Sequence, residues 1–230
     1  MSEVLSGSAF FGVLISISAY GLGFLLKKKF KLAIFNPLLI SIIITVAALL
    51  LLNIDYDAYN EGAEYLNWFL TPATVALAVP LYEQLSLLRK NFAAIILGIV
   101  SGVLTSLVCV FLMALAFGLS HTEYVTMLPK SITTAIGMGV SEELGGYVTI
   151  SVAVIVITGV LGNVIAPFIC KLFRIKNPVA KGIAIGTSSH AVGTTKAMEM
   201  GEVEGAMSSL SIAVSGILTV GGASIFAQFI

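Results

Sequence analysis

Long apolar runs alternate with short polar segments along this chain. Residues 91–120, 144–170 and 205–230 carry no charged side chain, and each run is long enough to cross the ~30 Å apolar core of a membrane as a helix. Two shorter runs, 8–26 and 34–52, also qualify as spans. The pattern therefore predicts an all-α polytopic membrane protein.

Three weaker apolar segments, 69–88, 128–140 and 178–198, are short and are interrupted by proline or glycine. Pro80 removes a backbone donor, so the first segment should kink or stop there. Gly186 and Gly193 are expected to release the helix in the third. Irregular backbone at membrane depth is tolerated only where protein buries it or where it lines an aqueous cavity. We therefore predict broken or re-entrant helices at a functional site.

Short matches in the same order indicate an internal repeat. "AYGLG" resembles "AIGMG", "PATVALAV" resembles "PVAKGIAI" in outline, and "SGVLT" resembles "SGILT". Biased composition is the competing explanation. We predict one domain over residues 1–230 with repeat halves 1–119 and 120–230.

Charge gives the chain an orientation. Hydrophobic residues make up 58% of the chain and charged residues 10%, and ten of the 12 basic residues lie in clusters at 27–31, 89–90 and 171–181. The positive-inside rule places these loops in the cytoplasm, and we expect the acidic segments 55–64 and 199–204 to face outward. In the proposed repeat the acidic 55–64 loop corresponds to the basic 171–181 loop, which predicts an inverted repeat as in many transporters.

Several classes of function are not indicated. The equal numbers of acidic and basic residues, 12 each, leave no extended basic face for nucleic acid. Cys109 and Cys170 lie within predicted spans, and the two histidines lack a metal-ligand spacing. No nucleophile motif is visible, and the chain begins without a basic region before its first apolar run. We expect no enzyme activity, metal, cofactor or removable signal peptide.

The stretch "GTSSHAVGTTK", residues 186–196, concentrates hydroxyls with a histidine and a lysine. A helix N-terminus inside the membrane presents free N–H groups and a positive dipole end, so it can hold an anion. Hydroxyls can orient a small carboxylate, and Lys130 or Lys196 can neutralise it. The same hydroxyls could instead coordinate Na⁺, so H⁺ and Na⁺ both stay open as coupling ions.

The candidate substrate-binding residues come from all three interrupted segments: Thr74, Pro80, Lys130, Ser131, Thr133, Thr134, Gly137, Gly186, Thr187, Ser188, Ser189, His190, Gly193, Thr194 and Lys196. Glu142, Glu143 and His190 are candidates for carrying a proton, although the glutamates could simply face water and His190 could cap a helix. Five other hydroxyls are interpreted as bonding to the backbone of their own helix or packing at close helix contacts: Ser101, Thr105, Ser208, Ser209 and Ser215.

These segments resemble the LrgB/CidB family. "LTPATVALAVPLY", "LPKSITTAIG", "VIVITGVLGNVIAP" and "AKGIAIGTSSHAVGTTKAME" match its pattern over essentially the whole chain. The resemblance implies a multi-pass protein of the bacterial inner membrane that acts beside a holin-like LrgA or CidA partner. It also brings two functional descriptions: modulation of murein hydrolase activity and cell lysis, and transport of small 2-oxo or 2-hydroxy monocarboxylates.

The interrupted segments favour transport. A holin forms lesions by oligomerising and needs little beyond apolar helices, whereas this chain has three interrupted polar segments. We therefore expect a carrier of pyruvate, glycolate or lactate that forms a homo-oligomer in lipid. An antiholin-like or holin-like modulator of lysis is the alternative.

Overall fold

The computed structural model describes residues 10–30, 35–76 and 78–230. Helices account for the secondary structure of these ranges, which contain no strand. Within these ranges, four helices are long and apolar enough to cross a membrane: Phe11–Phe30, Phe92–Phe117, Val148–Leu172 and Glu202–Phe229. The prediction of an all-α polytopic membrane protein is confirmed. The chain forms two compact units, one ending at Ala76 and one beginning at Leu77.

The described part of the first unit contains four helices: α1 (Phe11–Phe30), α2 (Pro37–Leu52), α3 (Tyr56–Asn67) and α4 (Leu70–Ala76). Asn36 caps α2 through hydrogen bonds from the Leu38 and Leu39 amides, and Pro37 suits the first helical position. α1 packs closely on α2 because Gly23 has no side chain; a Cβ there would lie 2.8 Å from the Pro37 carbonyl oxygen.

The second unit contains eight helices within the described residues: α5 (Ala78–Glu83), α6 (Leu85–Lys90), α7 (Phe92–Phe117), α8 (His121–Met127), α9 (Thr134–Glu143), α10 (Val148–Leu172), α11 (Pro178–Met200) and α12 (Glu202–Phe226). Its apolar core includes Ile95, Ile99 and Leu107 of α7 with Tyr124 and Met207, all fully buried.

The predicted interruption at Pro80 is wrong in position. Pro80 lies within α5, which ends at Glu83, and the next helix begins at Leu85 after Gln84.

Helix α11 is broken, but not where the glycines predicted. The chain is helical through Gly186 and Gly193, and the non-helical residues are Ser189 (φ −136°, ψ 15°) and His190 (φ 41°, ψ −143°). Ile185 and Ala197 pack in one cluster with Ala166, although 12 residues of straight helix would separate them by about 18 Å. The two limbs of α11 therefore fold back on each other as a re-entrant hairpin.

The α11 hairpin lies close against α12 through positions without side chains. A Cβ at Gly182 would lie 2.5 Å from the Glu204 carbonyl oxygen, and a Cβ at Gly186 would lie 2.8 Å from the Cα of Ser208. The role of Gly186 is thus close packing of helices rather than release of the helix.

The α11 hairpin returns to the face where it starts. The prediction that residues 199–204 lie on the face opposite the basic clusters is therefore wrong. Lys181 in the basic segment forms an ion pair with Glu204, with 3.3 Å between Nζ and Oε1. The acidic segment therefore lies on the same face as the basic cluster 171–181, not on the opposite one.

A second re-entrant segment comprises α8, the loop 128–133 and α9. It starts near the far end of α12, where the Tyr124 hydroxyl donates to the Phe226 carbonyl oxygen at 3.0 Å. Its loop reaches the middle of α7, where the Ser131 and Ser106 hydroxyl oxygens are 3.1 Å apart. Since α12 has the size of a membrane span, this segment and the α11 hairpin enter from opposite faces.

The start of α8 carries a capping box. The Ser120 hydroxyl accepts from the Glu123 amide, and the Glu123 carboxylate accepts from the Ser120 amide at 2.8 Å. These hydrogen bonds from Ser120 lower the pKa of the Glu123 carboxyl.

Candidate functional site

The tips of the two re-entrant segments line one cavity of about 740 Å³ in the second unit. Lys130 and Ser131 come from the loop between α8 and α9, and Thr187 and Ser188 come from the first limb of α11. Helix α7 and the earlier turns of the first limb of α11, from Val179 to Ala184, form the rest of the wall. The structure thus brings together four of the residues that the sequence proposed as a binding site.

Lys130 supplies the charge of this cavity. Its ammonium donates to the Ser131 hydroxyl at 2.9 Å, and Ser131 in turn is hydrogen bonded to Ser106 of α7. Among the lining residues that the structure describes, Lys130 is the only charged one. An ammonium with hydroxyls beside it suits a ligand with a single negative charge.

Thr187 and Ser188 present hydroxyl groups beside this charge. Thr187 is only 5% exposed, and within the described part of the chain its hydroxyl has no hydrogen-bond partner. A buried hydroxyl without a partner is unfavourable, so a ligand that reaches it would gain a hydrogen bond. Ser188 is exposed, and its hydroxyl oxygen lies 3.0 Å from that of Ser189.

Helix α7 contributes a stripe that the site prediction missed. Small and polar residues recur there at helical spacing in an otherwise apolar sequence: Asn91, Ala94, Gly98, Ser101, Gly102, Thr105, Ser106 and Cys109. This three- and four-residue periodicity is visible in the sequence and could have identified the wall. Gly102 allows α11 to approach, since a Cβ there would lie 2.7 Å from the methyl carbon of Thr187.

Two of the hydroxyls interpreted as packing belong to this stripe. Ser101 donates to the Gly98 carbonyl oxygen at 2.9 Å, and Thr105 donates to the Ser101 carbonyl oxygen at 2.7 Å. The predicted bonding to their own helix is confirmed, yet both residues also line the cavity. Their oxygen atoms keep lone pairs that can accept further hydrogen bonds.

Ser189 and His190 belong to the tip of the hairpin but pack against α10. Glycines make room for them: a Cβ at Gly162 would lie 2.5 Å from the Ser189 Cβ, and a Cβ at Gly159 would lie 2.7 Å from the His190 ring. The buried His190 Nε2 donates to the Ile155 carbonyl oxygen at 3.0 Å, which fixes the hydrogen on that nitrogen.

Asn163 of α10 anchors the second limb directly after the break. Its amide donates to the Val192 carbonyl oxygen at 2.7 Å and to the Thr195 hydroxyl at 2.8 Å. Thr194 connects the same limb to α12 through a 2.7 Å contact with the Ser208 hydroxyl. One backbone carbonyl of the second limb, that of Val192, therefore accepts a hydrogen bond from a neighbouring helix.

We expect Asn163→Leu to lower the free energy of unfolding by about 1–2 kcal/mol, because the Val192 carbonyl and the Thr195 hydroxyl would lose their hydrogen-bond donor. Leucine has nearly the same size as asparagine, so the substitution changes little else. Denaturant unfolding of the purified protein in detergent measures this. Asn60→Leu, at an exposed position of α3, is the matched control. Equal stability of the two variants would contradict an anchoring role for Asn163.

The remaining candidates whose side chains the structure describes do not line the cavity. Lys196 forms an ion pair with Glu199 at 2.8 Å, and Thr133 and Thr134 begin α9. Glu142 and Glu143 are exposed at the end of α9, Gly137 is buried against Ile155, and Gly193 lies near Ile185. Thr74 lies in α4 and Pro80 in α5, but their side chains are outside the described part of the structure.

A family model described as "LrgB-like family" matches residues 16–229. The chain belongs to this family. Proteins named "Antiholin-like protein LrgB" from Bacillus cereus (strain B4264) and Bacillus anthracis (strain A0248) are each 39% identical to it over 222 residues, which is 96% of this chain and 96% of each relative. No solved structure matches the chain.

The LrgB-like match covers α7, both re-entrant segments and all of α12. The cavity therefore lies entirely within the part of the chain that carries the family pattern. The chain is thus a multi-pass membrane protein of the LrgB-like family, and it has a polar cavity between two interrupted segments.

Proposed function

We propose that this chain is a carrier of small monocarboxylates of the pyruvate, glycolate or lactate type, rather than an enzyme. The observation that carries the proposal is the pair of re-entrant segments that enter from opposite faces and line one cavity with Lys130, Thr187 and Ser188. In transporters, discontinuous helices near mid-membrane bind the substrate, and movement of the surrounding elements exposes it to either side.

Charge counting supports one carboxylate over two. Within the described lining, Lys130 balances a single negative charge, so a dicarboxylate would carry a second charge into the cavity without a partner. An uncompensated charge buried within the protein is costly. Small hydroxyl-bearing side chains around the ammonium suit the hydroxyl or keto oxygen of a short acid.

We further propose that the chain acts in the bacterial inner membrane as a homo-oligomer beside an LrgA/CidA-type partner, with H⁺ or Na⁺ as the coupling ion. No additional cofactor is proposed. The second candidate function is modulation of murein hydrolase activity and lysis, and it is favoured by the name "antiholin-like" of the relatives.

Uptake of labelled pyruvate or glycolate into proteoliposomes tests the proposal, with and without the partner. Unlabelled glycolate should compete with pyruvate, and succinate should not. In the double variant Thr187→Val/Ser188→Ala we expect uptake to fall about tenfold, since each neutral hydrogen bond contributes about 0.5–1.5 kcal/mol. Lysis control in cells should stay unchanged in that variant if it does not need a stereospecific site.

The matched control is Thr149→Val/Ser224→Ala, which makes the same chemical changes at exposed positions outside the cavity. We expect normal uptake from it. Equal competition by succinate and glycolate would overturn the substrate class. Loss of lysis control with unchanged uptake in the cavity variant would favour the second function.

A further inference from the structure

A second cavity, of about 400 Å³, lies at the base of the α11 hairpin. Its charged lining consists of Lys171, Arg174, Lys176 and Lys181, and its apolar lining includes Pro167 of α10 and Met200 at the end of α11. No acidic residue is among the described residues that line it. The cavity is therefore a concave surface of one sign of charge.

Most of this positive charge is not neutralised by the protein. Lys181 is paired with Glu204 at 3.3 Å. Among the residues that the structure describes, no carboxylate lies within ion-pair distance of Lys171, Arg174 or Lys176. Three cationic groups around one hollow favour an anion strongly, because their fields add there.

The backbone turn that holds Arg174 adds a second observation. Arg174 adopts a left-handed conformation with φ 55°, and the next amide, that of Ile175, donates back to the Cys170 carbonyl oxygen at 2.8 Å. Glycine is the favoured residue at such a helix end because it has no Cβ. Here the chain instead keeps a guanidinium that lines the cavity.

Apolar side chains next to the cavity are exposed at the end of a membrane span. Phe168, Leu172 and Phe173 are 63%, 58% and 69% exposed, and α10 ends at Leu172. The last turn of a span lies where the apolar core meets the lipid headgroups. The basic cavity is thus at headgroup level, with surfaces for acyl chains beside it.

We propose that this cavity binds the phosphate-bearing headgroup of an anionic phospholipid. A guanidinium can donate two parallel hydrogen bonds to phosphate oxygens, and the lysines add charge without fixed geometry. The positive-inside rule accounts for the presence of basic residues on this face, but it does not require them to surround a cavity. Arg89 and Lys90 are equally basic and exposed, yet they line neither cavity.

The bound headgroup would also contact both limbs of the hairpin, since Lys181 belongs to the first limb and Met200 to the second. It therefore stabilises the base from which the two limbs start and return. This binding does not depend on which solute the first cavity accepts.

The test uses the full chain, purified and delipidated in detergent, with native mass spectrometry to compare phosphatidylglycerol and phosphatidylcholine binding. Wild type should prefer phosphatidylglycerol, and Arg174→Gln/Lys176→Gln should reduce that preference about 30-fold, given the usual effect of each basic residue at a charged membrane surface. Arg89→Gln/Lys90→Gln loses the same charge and should change it less than twofold.

An equal loss of the phosphatidylglycerol preference in both double variants would overturn the proposal. It would show that the general positive charge of this face attracts the lipid, rather than the cavity binding it. If inorganic phosphate at millimolar concentration displaced phosphatidylglycerol completely, the cavity would be a site for free phosphate and the lipid assignment would be wrong. Should the double variant fail to fold, Lys176→Gln alone must still lower the preference, and an unchanged preference there would overturn the proposal.

Discussion

Replacing Lys130 with glutamine is expected to lower pyruvate or glycolate uptake by about 10- to 150-fold while insertion into the membrane is preserved. A charge-assisted hydrogen bond contributes about 1.5–3 kcal/mol, which corresponds to that range. Lys130 is the only charged residue among the described lining of the cavity, so no neighbour there can replace it. Initial uptake rates in proteoliposomes, normalised to the amount of inserted protein, measure the effect.

Lys196→Gln is the matched control, and we expect it to transport nearly normally. Both lysines were candidates from sequence, but the structure pairs Lys196 with Glu199 outside the cavity. If Lys130→Gln transported normally, or if both variants lost uptake equally, the assignment of the carboxylate to Lys130 would fail.

The second large effect concerns Gly186. Gly186→Val should destabilise the protein by about 3 kcal/mol, because the new side chain would overlap the Ser208 backbone and the Ser211 Cβ, which lies 2.8 Å from a Cβ at this position. Backbone in a packed helix cannot move aside without separating α11 from α12. Denaturant unfolding in detergent, followed by circular dichroism, measures the change.

Gly221→Val on α12 is the control, since no described atom lies within 4 Å of a Cβ there. Gly221→Val makes the same change in helix propensity as Gly186→Val, but it causes no overlap with neighbouring atoms. A similar loss of stability in both variants would show that the effect is one of helix propensity rather than of the contact between α11 and α12.

Sequence reasoning identified the long spans well because each is a continuous uncharged run. It also identified α11 as an interrupted element, because glycine and hydroxyl density is unusual at membrane depth. It misplaced the break, since glycine permits a break without requiring one. The non-helical residues are Ser189 and His190, which are held there by contacts with Gly159 and Gly162 of α10. Such contacts between distant segments have no local signal.

The same limitation explains the error in orientation. Residues 199–204 were assigned to the far side because acidic residues gather there, whereas a helix that reverses within the membrane brings them back to the face of the basic cluster. The α7 wall was missed for a different reason: each of its hydroxyls bonds to its own helix or to one neighbour, and only their shared spacing indicates a surface. The predicted inverted repeat of halves 1–119 and 120–230 stays a prediction.

Each limb of the α11 hairpin contains about 11 residues, so it reaches only about 16 Å, roughly half of the apolar thickness of a membrane. The segment of α8 and α9 covers a similar depth from the other face. Under the proposed transport function, each re-entrant segment would separate the cavity from one aqueous compartment. The displacement of a single short hairpin, rather than of a whole spanning helix, would then be enough to release a solute held between the tips.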